Sequence, residues 1–191
     1  MHPSHGPLVR RRGTRLRARP GGFSLIELMV TLAVLAIVAA LAVPNFAVVM
    51  NGNRLTSQAN ELVADLQLAR TEALRRNRTV RLCRSSDGAT CATGNGEWTG
   101  WVVQASGATP ELLRTTAVKS QLKIKTPSGV NSVDFRPDGL ARNSSGGLLS
   151  TTFTVCMPTN RPRENLRRVE LAGGSRLNVT AAAHTTQGAC P

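Results

Sequence analysis

Gly21-Gly22-Phe23-Ser24-Leu25-Ile26-Glu27-Leu28 stands between a basic tail and an apolar run, and its reading governs the rest of the chain. Before the junction, residues 1–22 hold six arginines (Arg10, Arg11, Arg12, Arg15, Arg17 and Arg19) and no acid. After it, residues 23–50 carry one charge, Glu27, and nothing from Leu28 to Val43 is more polar than Thr31. As a helix rising ~1.5 Å per residue, these 28 residues reach about 42 Å, enough to cross a hydrocarbon core of ~30 Å. Arginines on the N-terminal side predict that the tail stays in the cytoplasm and the remainder is sent outward. Two ordinary readings fit: a secretory signal with a small-residue site at Ala40-Leu41-Ala42, and a plain transmembrane anchor. Neither accounts for Glu27, because a carboxylate inside an apolar span costs at least ~2–3 kcal/mol.

The chain has 191 residues, room for one domain with an anchor or at most two small domains. Its formal charge is +13, from 24 Lys and Arg against 11 Asp and Glu. Beyond residue 22 there remain 18 bases and 11 acids, so much of the basicity belongs to the tail. The remainder still favours an anionic partner without identifying one. Four cysteines, Cys83, Cys91, Cys156 and Cys190, form no C-x-x-C pair, and His184 is the only histidine after the tail, which argues against a zinc site. Behind an export segment, an even number of cysteines predicts two disulfides in an oxidising compartment. Of three connectivities we expect Cys83–Cys91, closing a short hairpin-like loop, with Cys156–Cys190 tying down the C-terminus. The alternative is four buried free thiols.

Pro44 and Asn51-Gly52-Asn53 follow the apolar run as points where a helix weakens. Periodicity then resumes. Leu55, Ala59, Leu62, Leu66, Ala69 and Ala73 make one apolar stripe, Glu72 and Arg76 are an i,i+4 pair, and Asn77 suits a left-handed cap behind Arg75 and Arg76. One helix is expected over residues 23–77, membrane-spanning over about 23–43 and amphipathic over 51–77. From residue 78 to 191 the pattern becomes short strands between turns such as Pro137-Asp138-Gly139 and Ser144-Ser145-Gly146-Gly147. Eight strands are expected, at 79–84, 98–104, 111–115, 122–125, 133–136, 151–157, 167–171 and 176–180. The fold class is therefore α+β: a long N-terminal helix packed on an antiparallel β-rich head. Trp98 and Trp101, three apart on one expected strand, should face opposite ways, with at least one in the core.

The junction Gly21-Gly22-Phe23-Ser24-Leu25-Ile26-Glu27-Leu28 resembles the leader-cleavage signal of the type IV pilin superfamily. The resemblance implies that prepilin peptidase removes residues 1–22, cutting between Gly22 and Phe23, and that Phe23 becomes N-methylated. It also gives Glu27 a role, pairing with the α-amine of a neighbouring subunit's first residue during assembly. The likeness continues through Arg54-Leu55-Thr56-Ser57-Gln58-Ala59-Asn60-Glu61-Leu62, Ala69-Arg70-Thr71-Glu72-Ala73 and Arg78-Thr79-Val80. It extends to Cys83, Ser85-Ser86-Asp87-Gly88, Cys91, Trp98 and Gly100-Trp101. Together these are similar to the GspH/FimT group of minor pilins and pseudopilins, closer to the FimT branch. What this implies is a pilin-like subunit of a type IV pilus or a type II secretion pseudopilus. It would cross the bacterial inner membrane once, with its N-terminus cytoplasmic and its head periplasmic. Its partners would be other pilins or pseudopilins, prepilin peptidase and the membrane.

No catalytic constellation stands out, and neither a cofactor nor a metal is expected. Gly94-Asn95-Gly96 and Gly146-Gly147 lack the spacing of a phosphate loop, and Asp87, Asp134 and Asp138 do not make a calcium loop. Arg161, Arg163, Arg167, Arg168 and Arg176 form a basic segment that could hold DNA without sequence preference through backbone phosphates. The competing reading is a solvated or subunit-contact face. The resemblance to FimT-type minor pilins, some of which bind incoming DNA through a basic C-terminal segment with a Gly-Arg-x-Arg motif, implies as an alternative a pilus subunit for DNA uptake. The nearest match here, Gly174-Ser175-Arg176-Leu177-Asn178, displaces the first arginine and lacks the second.

Overall fold

The computed structural model describes residues 22–143 and 145–191. Residues 1–21, most of the expected leader, lie outside the described set. By internal contacts the chain separates into two units, residues 1–41 and 42–191.

Helix α1 runs from Leu25 to Arg76, 52 residues assigned without interruption, so Pro44 and Asn51-Gly52-Asn53 do not end it. Ser24 caps its start: the Ser24 hydroxyl accepts the Glu27 N–H at 3.2 Å, and the Ser24 carbonyl accepts the Leu28 N–H at 3.1 Å. Arg75 and Arg76 occupy the last turn, and Asn77 follows with φ 50°, a left-handed stop. In the first unit every described side chain from Phe23 to Ala40 is exposed, including eleven large apolar ones between Phe23 and Val38. Among the described residues no helix is long and apolar enough to cross a membrane. The expected span over 23–43 includes Leu41 and Val43, whose side chains fall outside the description.

In the second unit the stripe does what its spacing predicts. Leu55, Ala59, Leu62, Leu66, Ala69 and Ala73 are all fully buried against two antiparallel sheets. The strands are β1 (Val80–Arg84), β2 (Gly100–Ala105), β3 (Glu111–Ala117), β4 (Lys123–Lys125), β5 (Ser132–Phe135), β6 (Ala141–Arg142), β7 (Thr151–Cys156), β8 (Leu166–Ala172) and β9 (Arg176–Ala182). One sheet has the order β3-β2-β1-β5-β6 and the other β4-β7-β8-β9. All eight expected strands are present. The two-residue β6 is additional, too short to leave an alternating pattern in the sequence.

Trp98 corrects the tryptophan reading. It lies before β2 rather than on it, so strand alternation does not govern it, and both indoles are buried. Trp98 meets Phe153 edge to face at 5.4 Å between ring centroids, joining the β1–β2 connection to the second sheet. Trp101, on β2, points at α1.

Candidate functional site

Helix and first sheet meet along a polar row as well as the apolar stripe. Gln58, Asp65 and Glu72 recur every seven residues, close to two helical turns, and so lie on one side of α1. The Gln58 side-chain oxygen accepts the Lys119 backbone N–H at 2.9 Å. Asp65, fully buried, accepts from Trp101 Nε1 at 2.8 Å and Thr116 Oγ1 at 2.7 Å, and its other oxygen lies 2.8 Å from Arg114 Nε. Trp101 and Thr116 are direct cross-strand partners, which is why both reach the same carboxylate. Glu72 receives Arg75 at 2.7 Å and Arg76 at 2.6 Å, and Arg76 continues to Glu111 at 2.6 Å. These arginines, Arg75 first, draw the Glu72 carboxyl down to about 2. With Arg76 as its link to Glu111, the row therefore fastens α1 beside β3 and to Lys119 just after it, helix and strand running in opposite directions. Only its Glu72–Arg76 end was anticipated from sequence. The signal available was the recurrence of polar residues at 58, 65 and 72 beside an otherwise apolar stripe.

At the N-terminus, Glu27 sits in the first turn of α1, exposed and preceded by the Ser24 cap. Gly22 is also exposed. A Cβ built on it meets nothing within 4 Å, and its φ is not in the left-handed range. The fold of this chain thus places no demand for glycine at that position.

The cysteines form two disulfides, Cys83–Cys91 and Cys156–Cys190, with Cα–Cα distances of 5.5 and 5.8 Å. The first closes a loop braced from within. Asp87 accepts from the Thr90 hydroxyl and from the Thr90 and Ala89 backbone N–H groups, which hold its carboxyl well below the usual carboxylate range. Arg84, buried, donates to the carbonyls of Thr93 and Gly94. The second disulfide fixes the C-terminal segment beside β7.

The five candidate DNA-binding arginines do not form one cluster. Arg161 and Arg163 are exposed on the loop before β8, where the Arg161 carbonyl accepts from Asn51 at 2.8 Å. Arg167 shares the inward face with its partner Val155. It is occupied there, donating to Thr56 Oγ1 on α1 at 3.2 Å and to the carbonyls of Glu164 and Leu166. Arg168 faces outward. Arg176 pairs with Ala172 at the far end of the β8–β9 hairpin, about 20 Å from Leu166 at the usual rise per residue. Two lysines not anticipated from sequence join Arg168. Lys125, Thr154, Arg168 and Thr180 are successive direct partners across all four strands of the second sheet, with Lys123 two residues from Lys125 on the same face. The signal was the Lys-x-Lys of β4, alternation with one buried residue between two exposed bases.

The Gly174-Ser175-Arg176 turn is a structural clamp. Ser175 is buried with φ 61°, its hydroxyl accepts the Ala141 N–H at 2.7 Å, and its carbonyl accepts Arg70 Nη1 at 3.2 Å. It ties the second sheet to β6 and to α1 together. His184 binds locally, its Nδ1 accepting the Thr186 N–H at 3.1 Å, and has no base-like setting.

Residues 58–175 match the family described as Type II transport protein GspH, and residues 17–43 match the prokaryotic N-terminal methylation motif. Among curated proteins no sequence match is found. Solved structures that share the fold include a minor pilin and a minor pseudopilin. The type IV minor pilin FimU of Pseudomonas aeruginosa is 24% identical with a TM-score of 0.51, over 67% of this chain and 89% of that one. The minor pseudopilin EpsH of the Vibrio cholerae type 2 secretion system is 14% identical with a TM-score of 0.50, over 67% of this chain and 97% of that one.

Proposed function

The chain belongs to the GspH family of structural pilin and pseudopilin subunits, which are not enzymes, and from that premise we propose how it works. It is a minor pilin or pseudopilin of a type IV pilus or a type II secretion pseudopilus. Prepilin peptidase cuts it between Gly22 and Phe23, and Phe23 is then N-methylated. The span over 23–43 holds it in the bacterial inner membrane, N-terminus cytoplasmic and β-rich part periplasmic, until it joins or primes a filament with other pilins. One observation carries this reading: an unbroken exposed apolar face from Phe23 to Val38 with a single carboxylate, Glu27, in its first turn. Such a face needs lipid or other subunits around it. Glu27 then needs a cation, which a neighbour's α-amine supplies. Gly22 fits the same account, since the requirement for glycine comes from the peptidase and not from the fold.

Mass spectrometry of the mature chain is expected to find Phe23 at the N-terminus carrying a methyl group, and a start at Val43 would discard this reading. Glu27→Ala is expected to insert into the membrane at least as well as the parent, since a costly carboxylate has gone, yet to enter filaments poorly. Wild-type incorporation of that variant would remove the pairing role.

A second reading, weak DNA binding without sequence preference, is favoured by the outward row of Lys125, Arg168 and Lys123. Arg161, Arg163 and Arg176 supply further cations at its margins, and Arg167 contributes least because its guanidinium is already engaged. If about three phosphates are neutralised, log affinity should fall against log salt with a slope of roughly −2.7. The detergent-solubilised chain titrated with duplex DNA should show that slope, and Arg168→Glu should flatten it. Absence of binding at low salt would leave the row as a solvated face.

A further inference from the structure

Between α1 and the β8–β9 turn lies an open cleft of about 310 Å³. Its floor is apolar: Leu66 and Phe135 are fully buried, and Leu177 is half-buried beside them. Its rim holds Gln67 and two arginines, Arg70 and Arg176, and no acidic side chain lines it. Arg70 spends one donor on the Ser175 carbonyl at 3.2 Å, which fixes its guanidinium at the rim. Arg176 is exposed and joins no ion pair among the described residues. Other arginines on or beside α1 have side-chain partners: Arg114 meets Asp65, Arg76 meets Glu72 and Glu111, Arg54 donates to Gln121 and Arg167 to Thr56. This rim has two cations and nothing to balance them.

We propose that this cleft receives an acidic side chain, with an aliphatic or aromatic neighbour, from an adjoining pilin or pseudopilin subunit. The proposal rests on the assembly reading and deepens it. A carboxylate suits the rim because a planar guanidinium fork donates two parallel hydrogen bonds to it. Leu177, half-buried over the covered Leu66 and Phe135, is the accessible apolar surface of the cleft and favours a peptide over a bare phosphate, since it offers nothing to a phosphate oxygen and can pack against a hydrocarbon side chain. The Ser175 clamp holds the turn, and with it the start of β9, in place before the partner arrives, so little ordering is left for binding.

The test places the photo-crosslinker p-benzoylphenylalanine at Gln67, an exposed rim position, in the full chain expressed with its partner subunits. A second probe at Leu35 reports packing of the apolar segment of α1. The Gln67 probe is expected to crosslink to another subunit at a peptide containing Asp or Glu. Arg176→Glu should reduce that yield by about fivefold or more while Arg176→Lys largely keeps it, as for a charge-matched contact. Crosslinks from Leu35 but none from Gln67 would overturn the cleft proposal and leave assembly standing. So would a Gln67 yield indifferent to Arg176→Glu, or a Gln67 adduct with lipid or nucleic acid. Silence at both positions would overturn the assembly reading along with it.

Discussion

Asp65→Ala is expected to cost the folded second unit about 3–5 kcal/mol, because two buried donors lose their acceptor at about 1–3 kcal/mol each. Three groups would lose their acceptor at once. Trp101 Nε1 and Thr116 Oγ1 are buried donors that water cannot easily reach, and Arg114 would lose its pairing with the carboxylate. The methyl group left behind contributes nothing along the helix–β3 contact. Asp65→Asn keeps an acceptor for the two neutral donors and gives up the charge pairing with Arg114, which is half exposed and screened. Its expected loss is smaller, about 1–2 kcal/mol. Urea denaturation followed by tryptophan emission measures both, since Trp101 reports directly on the site. A loss below about 1 kcal/mol for Asp65→Ala would mean that the donors find other partners.

Removing the Cys156–Cys190 disulfide should cost more than removing Cys83–Cys91. The bonds close loops with sequence separations of 34 and 8, and the chain-entropy relation gives about 4 and about 2.5 kcal/mol. The asymmetry should be sharpened by local support. The Cys83–Cys91 loop keeps its Asp87 and Arg84 hydrogen bonds when the sulfurs are gone, whereas the C-terminal segment relies on fewer contacts. Among these is the Asn165 Nδ2 bond to the Ala189 carbonyl at 2.8 Å. The double variants Cys156→Ser/Cys190→Ser and Cys83→Ser/Cys91→Ser, compared by denaturation, make the check. Equal losses would rule out loop length as the governing term.

What could be read from the sequence was what depends on local period. The stripe from Leu55 to Ala73 and the strand positions follow from spacing alone, as does the Asn77 stop. What could not be read depends on residues far apart in the chain. Trp98 looks like a strand residue until Phe153 of the other sheet is set beside it. Asp65 looks like an ordinary solvated acid until β2 and β3 bring Trp101, Thr116 and Arg114 over it. The arginine segment shows the same limit in the other direction. Five arginines close in sequence are separated by one hairpin into a loop pair, an inward residue, an outward residue and a residue at the far end. Lys125, more than 40 positions before Arg168, is brought into its row by strand order.

The row of Gln58, Asp65 and Glu72 also bears on mechanics. Its outer members are 14 residues apart, about 21 Å of helix, and β3 runs beside them in the opposite direction. A subunit held by α1 while load is applied to its β-rich part experiences tension nearly parallel to that row. The contacts at Gln58, at Asp65 and, through Arg76 and Glu111, at Glu72 are then strained simultaneously, as rivets in a lap joint are, and none can fail before sharing the load with the others. Peeling, which would break them one by one, needs a force across the helix instead. The geometry resists axial traction and yields to sideways leverage.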